Sequence, residues 1–303
     1  MSNKNLNILI TGSSGLIGTT LSQSLTNSGH TIYNMERPAC SNAHFSWLPE
    51  NDIINFDESI AIDVIINLSG SNISDGRWTS SKKKIIYNSR VKSTKLLTQK
   101  IAELKHPPKV FISASAIGFY GETGDFTVSE QSDPGKDFLA HVALKWESAT
   151  QLCKDAGIRT VNLRTGIVLS EKGGALNKML FPFKLGLGGV IGNGKQYMSW
   201  ISIKDVTSII EFIIDNDSID GPVNMVSPAP VTNYEFTKTL GKVLSRPTIF
   251  PMPAYVAKLI FGEMADALLL TGIRVKPDKL LSAGYTFIDN DLYPALKSVL
   301  NKK

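Results

Sequence analysis

Leu6-Asn7-Ile8-Leu9-Ile10-Thr11-Gly12-Ser13-Ser14-Gly15-Leu16-Ile17-Gly18 is the stretch that decides the fold. A short apolar run with β-branched residues reads as a parallel strand buried on both faces. It breaks at a glycine turn. From Leu16 to Ser28 the apolar residues Leu16, Ile17, Leu21 and Leu25 recur at helical spacing, and Gly29 follows where a helix-terminating glycine belongs. Strand, glycine turn and helix in that order form a phosphate cradle. The glycines let the backbone approach a ligand, and the helix start offers unpaired N–H groups and positive dipole charge. Gly12, Ser13, Ser14, Gly15, Leu16, Ile17 and Gly18 are therefore candidate contacts to a dinucleotide pyrophosphate. The spacing is G-x-x-G-x-x-G rather than G-x-G-x-x-G; a glycine-rich loop without ligand is the alternative.

Working outward, further short apolar runs read as strands: Thr31–Met35, Ile62–Leu68, Lys109–Ser113 and Arg159–Arg164. Ile85–Leu104 reads as one long helix and His141–Asp155 as another. Alternation of this kind implies an α/β fold, a doubly wound parallel sheet of Rossmann type with helices on both faces. Regularity falls after residue 170. The segment Lys172–Gly194 is glycine-rich around the apolar stretch Met179–Leu187, the 170–200 region is expected to contribute to the substrate side, and Gly186–Gly194 reads either as a lid over the cofactor or as a tight surface loop. MSWISI is strand-like, and a helix follows from Asp205, a candidate N-cap, to Ile214. The expected division is a cofactor-binding unit, 1–247, and a smaller C-terminal subdomain, 248–303, on the substrate side.

The second strand ends at Glu36-Arg37. An acid there holds the ribose 2′-hydroxyl of NAD, whereas an arginine pairs bidentately with the 2′-phosphate of NADP. The expectation from Arg37 is NADP, with NAD as the alternative.

Composition sets the outer bounds. Of 303 residues, 42% are hydrophobic and 19% charged, an ordinary globular balance with enough apolar material for a large core. The net charge of +5 comes from scattered bases, and Lys82-Lys83-Lys84 is a solvated-helix pattern rather than a nucleic-acid patch. Two cysteines, Cys40 and Cys153, make neither a disulfide framework nor a metal site. The polar start and the shortness of the apolar runs lead us to expect no signal segment, no membrane span and a cytoplasmic setting.

Several later segments carry a resemblance: Asn67-Leu68-Ser69-Gly70, Arg77-Trp78, Ser89-Arg90, the stretch Ser113-Ala114-Ser115-Ala116-Ile117-Gly118-Phe119-Tyr120-Gly121, Trp146-Glu147, Arg164–Leu169, Phe183–Gly194, Trp200-Ile201 and the tail around Pro251-Met252-Pro253, Gly262-Glu263 and Pro277 to Tyr285. With the glycine spacing they resemble an atypical branch of the extended short-chain dehydrogenase/reductases, an NAD(P)-binding epimerase-like family with its own C-terminal domain. The resemblance implies cofactor contacts at the glycine turn, at Arg37 and at Asn67, Leu68, Ser69 and Gly70. Arg90 and Ser113 are further candidates. It implies a small-molecule substrate and leaves monomer and homodimer open.

The superfamily's usual active site joins a serine to a Tyr-x-x-x-Lys pair, in which the lysine lowers the tyrosine pKa for proton exchange. Ser115 is the candidate serine, or else a turn serine capping its own loop. Leu139 and Ala143 stand where tyrosine and lysine would. Tyr120 is the candidate substitute, or else a pocket-wall tyrosine. His141 and Lys145 read as surface residues, and Arg164 either faces substrate or pairs internally. Two functions follow: an NADP-dependent oxidoreductase or epimerase-like enzyme, and a cofactor-binding regulatory or redox-sensing protein with little catalysis. A scaffold linked to cell division rests on the family label alone.

Overall fold

The computed structural model describes residues 5–37 and 43–302. Cys40 lies outside them. Six parallel strands form the central sheet: β1 (Asn7–Thr11), β2 (Thr31–Met35), β3 (Val64–Asn67), β4 (Val110–Ala116), β5 (Arg159–Thr165) and β6 (Gly221–Met225). Their order across the sheet is β2-β1-β3-β4-β5-β6. The order of strand addition reverses between β1 and β3, the switch point at which open α/β sheets bind ligands.

Side chains alternate along these strands, and both faces are dry. Ile8 and Ile10 of β1 join Ile66, Ile112 and Leu163 on one face, under helices α1 (Leu16–Asn27) and Ile203–Asp215. Leu9, Ile65 and Phe111 point to the other face, where they meet Leu97, Ile101 and Cys153. Burial on both faces is why the runs read as continuous rather than alternating.

Two helices are shorter than the sequence suggests. The stretch expected as one helix over 85–104 is two, α2 (Ser80–Asn88) and α3 (Val91–Ala102). The break falls at Ser89-Arg90, where both side chains turn back to bond Ser71 and Ile86. The stretch 141–155 is likewise divided into α4 (Phe138–Ser148) and α5 (Gln151–Asp155), with Thr150 bonding the Glu147 carbonyl between them. Strand β6 and the hairpin Phe45–Leu48 with Ile53–Phe56 went unread in the sequence.

Asp205 is not the N-cap of its helix. Ser202 is, and Asp205 is a fully buried acceptor one turn in, taking bonds from Tyr285 OH (2.9 Å) and the Ile288 and Asp289 amides (2.8 and 2.9 Å). It thereby ties the C-terminal segment to the main core. That segment threads across the molecule. Arg274–Val275 pairs with Thr127–Val128, Leu280 enters the main core, and the last helix, Leu292–Val299, packs on helix Asn233–Leu244.

Candidate functional site

The glycine turn has the geometry of a cradle, and its three glycines serve different ends. Gly12 adopts φ +70°, and a Cβ there would stand 2.9 Å from the Leu68 carbonyl, so the β1 turn and the end of β3 touch through bare backbone. A Cβ on Gly18 would come within 2.3 Å of the Gly12 oxygen, so the helix start can fold onto the turn only as glycine. Gly15 is different. It has ordinary φ, and a Cβ would meet only the Gly12 oxygen, at 3.2 Å. Its smallness is not demanded by the fold and leaves the turn open to a close ligand. Gly15 is the N-cap of α1 and offers no side-chain cap. Helices α2 and α4 are by contrast closed by Thr79 and Asp137, which accept from backbone amides. The first amides of α1 therefore point outward without a side-chain acceptor, an anion-binding arrangement.

Arg37 follows β2 and is largely exposed, with Glu50 at 3.3 Å. A solvated pair of this kind contributes little and leaves the guanidinium free to take a better partner. Leu68 and Ser69 continue from β3 along the floor of the cradle, half-buried, and Gly70 is exposed. A Cβ on Gly70 would lie 3.3 Å from the Arg90 guanidinium carbon. Arg90 donates to the Ile86 and Ser71 carbonyls and stacks over Trp146 at 5.2 Å. Burial pushes its pKa down to about 10.

Asn67 and Ser113 do not face the cleft. Both are fully buried, and Asn67 Nδ2 donates to Thr94 Oγ1 (2.9 Å) and Ser113 Oγ (3.4 Å). Asn67 Oδ1 accepts from Thr11 Oγ1 at 2.7 Å, and Trp146 Nε1 also donates to Thr94. This polar node fastens β1, β3 and β4 to α3 and α4 beneath the cradle.

Strand alternation decides where Ser115 points. Phe111, Ser113 and Ser115 share the buried side of β4, and the half-exposed residues at its carboxyl end are Ala114 and Ala116. Ser115 Oγ donates to Glu147 Oε1 at 2.7 Å. Arg164 grips the same carboxylate with two bonds, Nε to Oε1 at 2.8 Å and Nη2 to Oε2 at 2.9 Å, so it pairs internally. Its remaining Nη1 donates to Tyr120 OH at 2.9 Å, and that hydroxyl donates to Asn224 Oδ1 at 2.6 Å. Burial raises the Tyr120 pKa to about 12, against the pull of Arg164. Both candidate hydroxyls thus belong to one dry network. Sequence reading missed the Glu147–Arg164 pairing and the contribution of Asn224. The signal available was the i, i+2 register of Ser113 and Ser115.

Leu139 and Ala143 occupy α4 as apolar residues. Leu139 packs on the turn at Gly118, and around it gather Trp78, Phe138, Phe261, Met264 and Leu268. Ala143 lies among Ile117, Phe119 and Tyr120. His141 is exposed and stacked on Tyr87 (6.2 Å), and Lys145 is exposed. The Gly186–Gly194 stretch is bonded down rather than free. Val190 accepts from the Met252 amide and Gly192 donates to the Met252 carbonyl, at 2.8 and 2.9 Å. Among the described residues no cluster of His, Cys, Asp or Glu could hold a metal ion.

Residues 8–226 match the profile described as the NAD dependent epimerase/dehydratase family. The chain belongs to this family. Residues 252–299 match a second profile, a domain of unknown function, DUF1731. Among relatives of this epimerase family, protein MT2273 of Mycobacterium tuberculosis is 40% identical over 290 residues, spanning 95% of this chain and 96% of its own. YfhF of Bacillus subtilis is 38% identical over 301 residues, 97% of this chain and 98% of its own. The crystal structure of human epimerase family protein SDR39U1 with NADPH superposes with TM-score 0.88 at 32% identity, covering 98% of this chain and 99% of that one. The atypical epimerase-like branch, with its own C-terminal domain, is the one the sequence resembles.

Proposed function

We propose that the protein binds NADP(H) at the Gly12–Gly18 turn and acts on a small molecule as an oxidoreductase or epimerase-like protein. Residues 1–247 hold the cofactor and 248–303 close the substrate side. The observation that carries this reading is the open cradle at the β1/β3 switch point, where a ligand-sized approach at Gly15 meets uncapped α1 amides. These residues fit a dinucleotide pyrophosphate. Arg37 supports NADP(H) over NAD(H), as does the NADPH in the human relative. When bound, the nicotinamide supplies a hydride donor or acceptor. The chain's own part is to hold the phosphates on the α1 amides and the 2′-phosphate on Arg37.

A second reading is a cofactor-holding regulatory or redox-sensing protein. What favours it is the absence of a proton-exchanging pair at Leu139 and Ala143, with Ser115 and Tyr120 already committed to internal partners. Calorimetric titration with NADPH and NADH tests the shared premise, and tighter NADPH binding is expected. The absorbance of bound NADPH at its reduced-nicotinamide band, followed against nucleotide sugars, aldehydes and ketones, then separates the two. Turnover on any of them supports the enzyme, tight binding with no turnover supports the regulator, and failure to bind either cofactor removes both.

A further inference from the structure

Exposed apolar side chains gather on one part of the surface. Helix α6 (Gly174–Lys184) and the residues just after it expose Phe181 and Leu185, and the 249–260 segment exposes Ile249, Phe250, Tyr255 and Leu259, every one of them more than half exposed. Two helices carry the same outward stripe. Phe181, Lys184 and Leu185 stand at i, i+3 and i+4 at the end of α6. Tyr255, Lys258 and Leu259 repeat aromatic, lysine and leucine on helix Ala254–Phe261. One side-chain and one backbone hydrogen bond tie the segments flanking these helices: Arg246 Nε donates to the Lys184 carbonyl at 2.8 Å, and the Met252 amide to the Val190 carbonyl at 2.8 Å.

The charge of these stretches has one sign. Residues 172–204 hold five lysines and no Asp or Glu, of which Lys172 and Lys204 border the cleft beside Gly15 and Leu16, and residues 236–262 hold three lysines, one arginine and no Asp or Glu. The neighbouring acids come from elsewhere: Asp266 pairs with Lys258 at 2.8 Å, and Asp75 lies 3.5 Å from Lys178. Lys184 and Arg246 have no carboxylate partner among the described residues.

We propose that this face docks on an anionic phospholipid surface from one side, with Phe181, Leu185, Tyr255 and Leu259 entering the interfacial layer and the lysines meeting headgroup phosphates. Aromatic and aliphatic side chains flanked by bases, of which Lys184 and Arg246 carry no carboxylate partner among the described residues, match such a surface in both polarity and charge. A second copy is the poorer occupant, because a two-fold pairing of this face on itself would press like charges together. The contact is peripheral: no helix among the described residues is long and apolar enough to cross a membrane.

The test uses the full chain, co-sedimented with phosphatidylcholine vesicles and with mixed phosphatidylcholine–phosphatidylglycerol vesicles. Binding to the mixed vesicles alone is expected, falling as salt is raised. Phe181→Asp with Leu259→Asp, and separately Lys184→Glu, should each weaken it by roughly tenfold or more. All three positions are exposed, and thermal melting of each variant checks that the fold stands. Absent or equal binding to the two vesicle types overturns the proposal, as does full binding by the double variant. A dimer in light scattering that Leu259→Asp converts to monomer also overturns it, in favour of a second copy.

Discussion

Ser115 donates a hydrogen bond to Glu147 across 2.7 Å, and the same carboxylate is forked by Arg164 in the interior. Removing one partner from a buried pair costs far more than the pair itself contributes, so Glu147→Ala should destabilise by about 3–5 kcal/mol. Ser115→Ala, which loses one hydrogen bond, should cost about 1 kcal/mol. Urea unfolding measures both. A Ser115→Ala protein with parental stability and no turnover on any responsive substrate would return the hydroxyl to a catalytic role.

The cradle glycines should separate fold from binding. Gly18→Ala would force a methyl to within 2.3 Å of the Gly12 oxygen, so the turn must open and the protein lose stability outright. Gly15→Ala needs a shift of only a few tenths of an ångström, so its stability should stay within about 1 kcal/mol of the parent. Its NADPH affinity should nevertheless fall roughly tenfold or more. Thermal melting beside calorimetric titration reads the two effects. Unchanged NADPH affinity in Gly15→Ala places the phosphates elsewhere.

Among the described residues the one ion pair of Arg37 is with Glu50, at the surface, so Arg37→Ala should leave the melting temperature alone. Its loss should weaken NADPH by roughly 10- to 100-fold, the worth of charge-assisted bonds to a phosphate, and leave NADH nearly unchanged. Equal affinity of the parent for the two cofactors would defeat the preference.

Tyr120 makes a prediction about alkaline unfolding. Its pKa rises from 10.0 to about 12, through burial first. As pH climbs through this window the unfolded chain gives up a proton that the folded chain keeps. The stability is complete below about pH 10 and is lost as pH rises through about 12. Cys153, raised by burial from 9.0 to about 12, begins the same decline earlier. Tyr120→Phe should flatten the fall of unfolding free energy above pH 10 relative to the parent, as urea unfolding across that range would record. An identical slope in both proteins would contradict the burial argument.

The parallel sheet was legible because β1, β3 and the first half of β4 are apolar on both faces and, with β5, sit between helical periods. The same property hid the site. When every position of a strand is buried, hydrophobicity no longer tells one face from the other, so Ser115 could be placed on β4 but not aimed. Strand β6 was lost because Pro222 and Asn224 interrupt its apolar run, although both are accommodated at the sheet's edge. The breaks at Ser89 and Thr150 depend on contacts with distant residues or local hydroxyl bonds, which periodicity does not register. Gly15 was legible as part of a motif. That it is the glycine the fold does not require emerged only from its neighbours.

Helix Ala254–Phe261 is fastened to the loop leaving β3. Arg77 donates to the Leu259 and Ile260 carbonyls, and Lys83 pairs with Glu263 just beyond the helix. That loop begins at Ser69 and Gly70, on the floor of the cradle. The outer helix and the cradle floor are therefore joined through one loop. Coupling between the two sites would be read as a change in NADPH affinity when a ligand occupies the outer face. Thermodynamic reciprocity then requires an occupied cradle to change the grip of the outer face by the same factor.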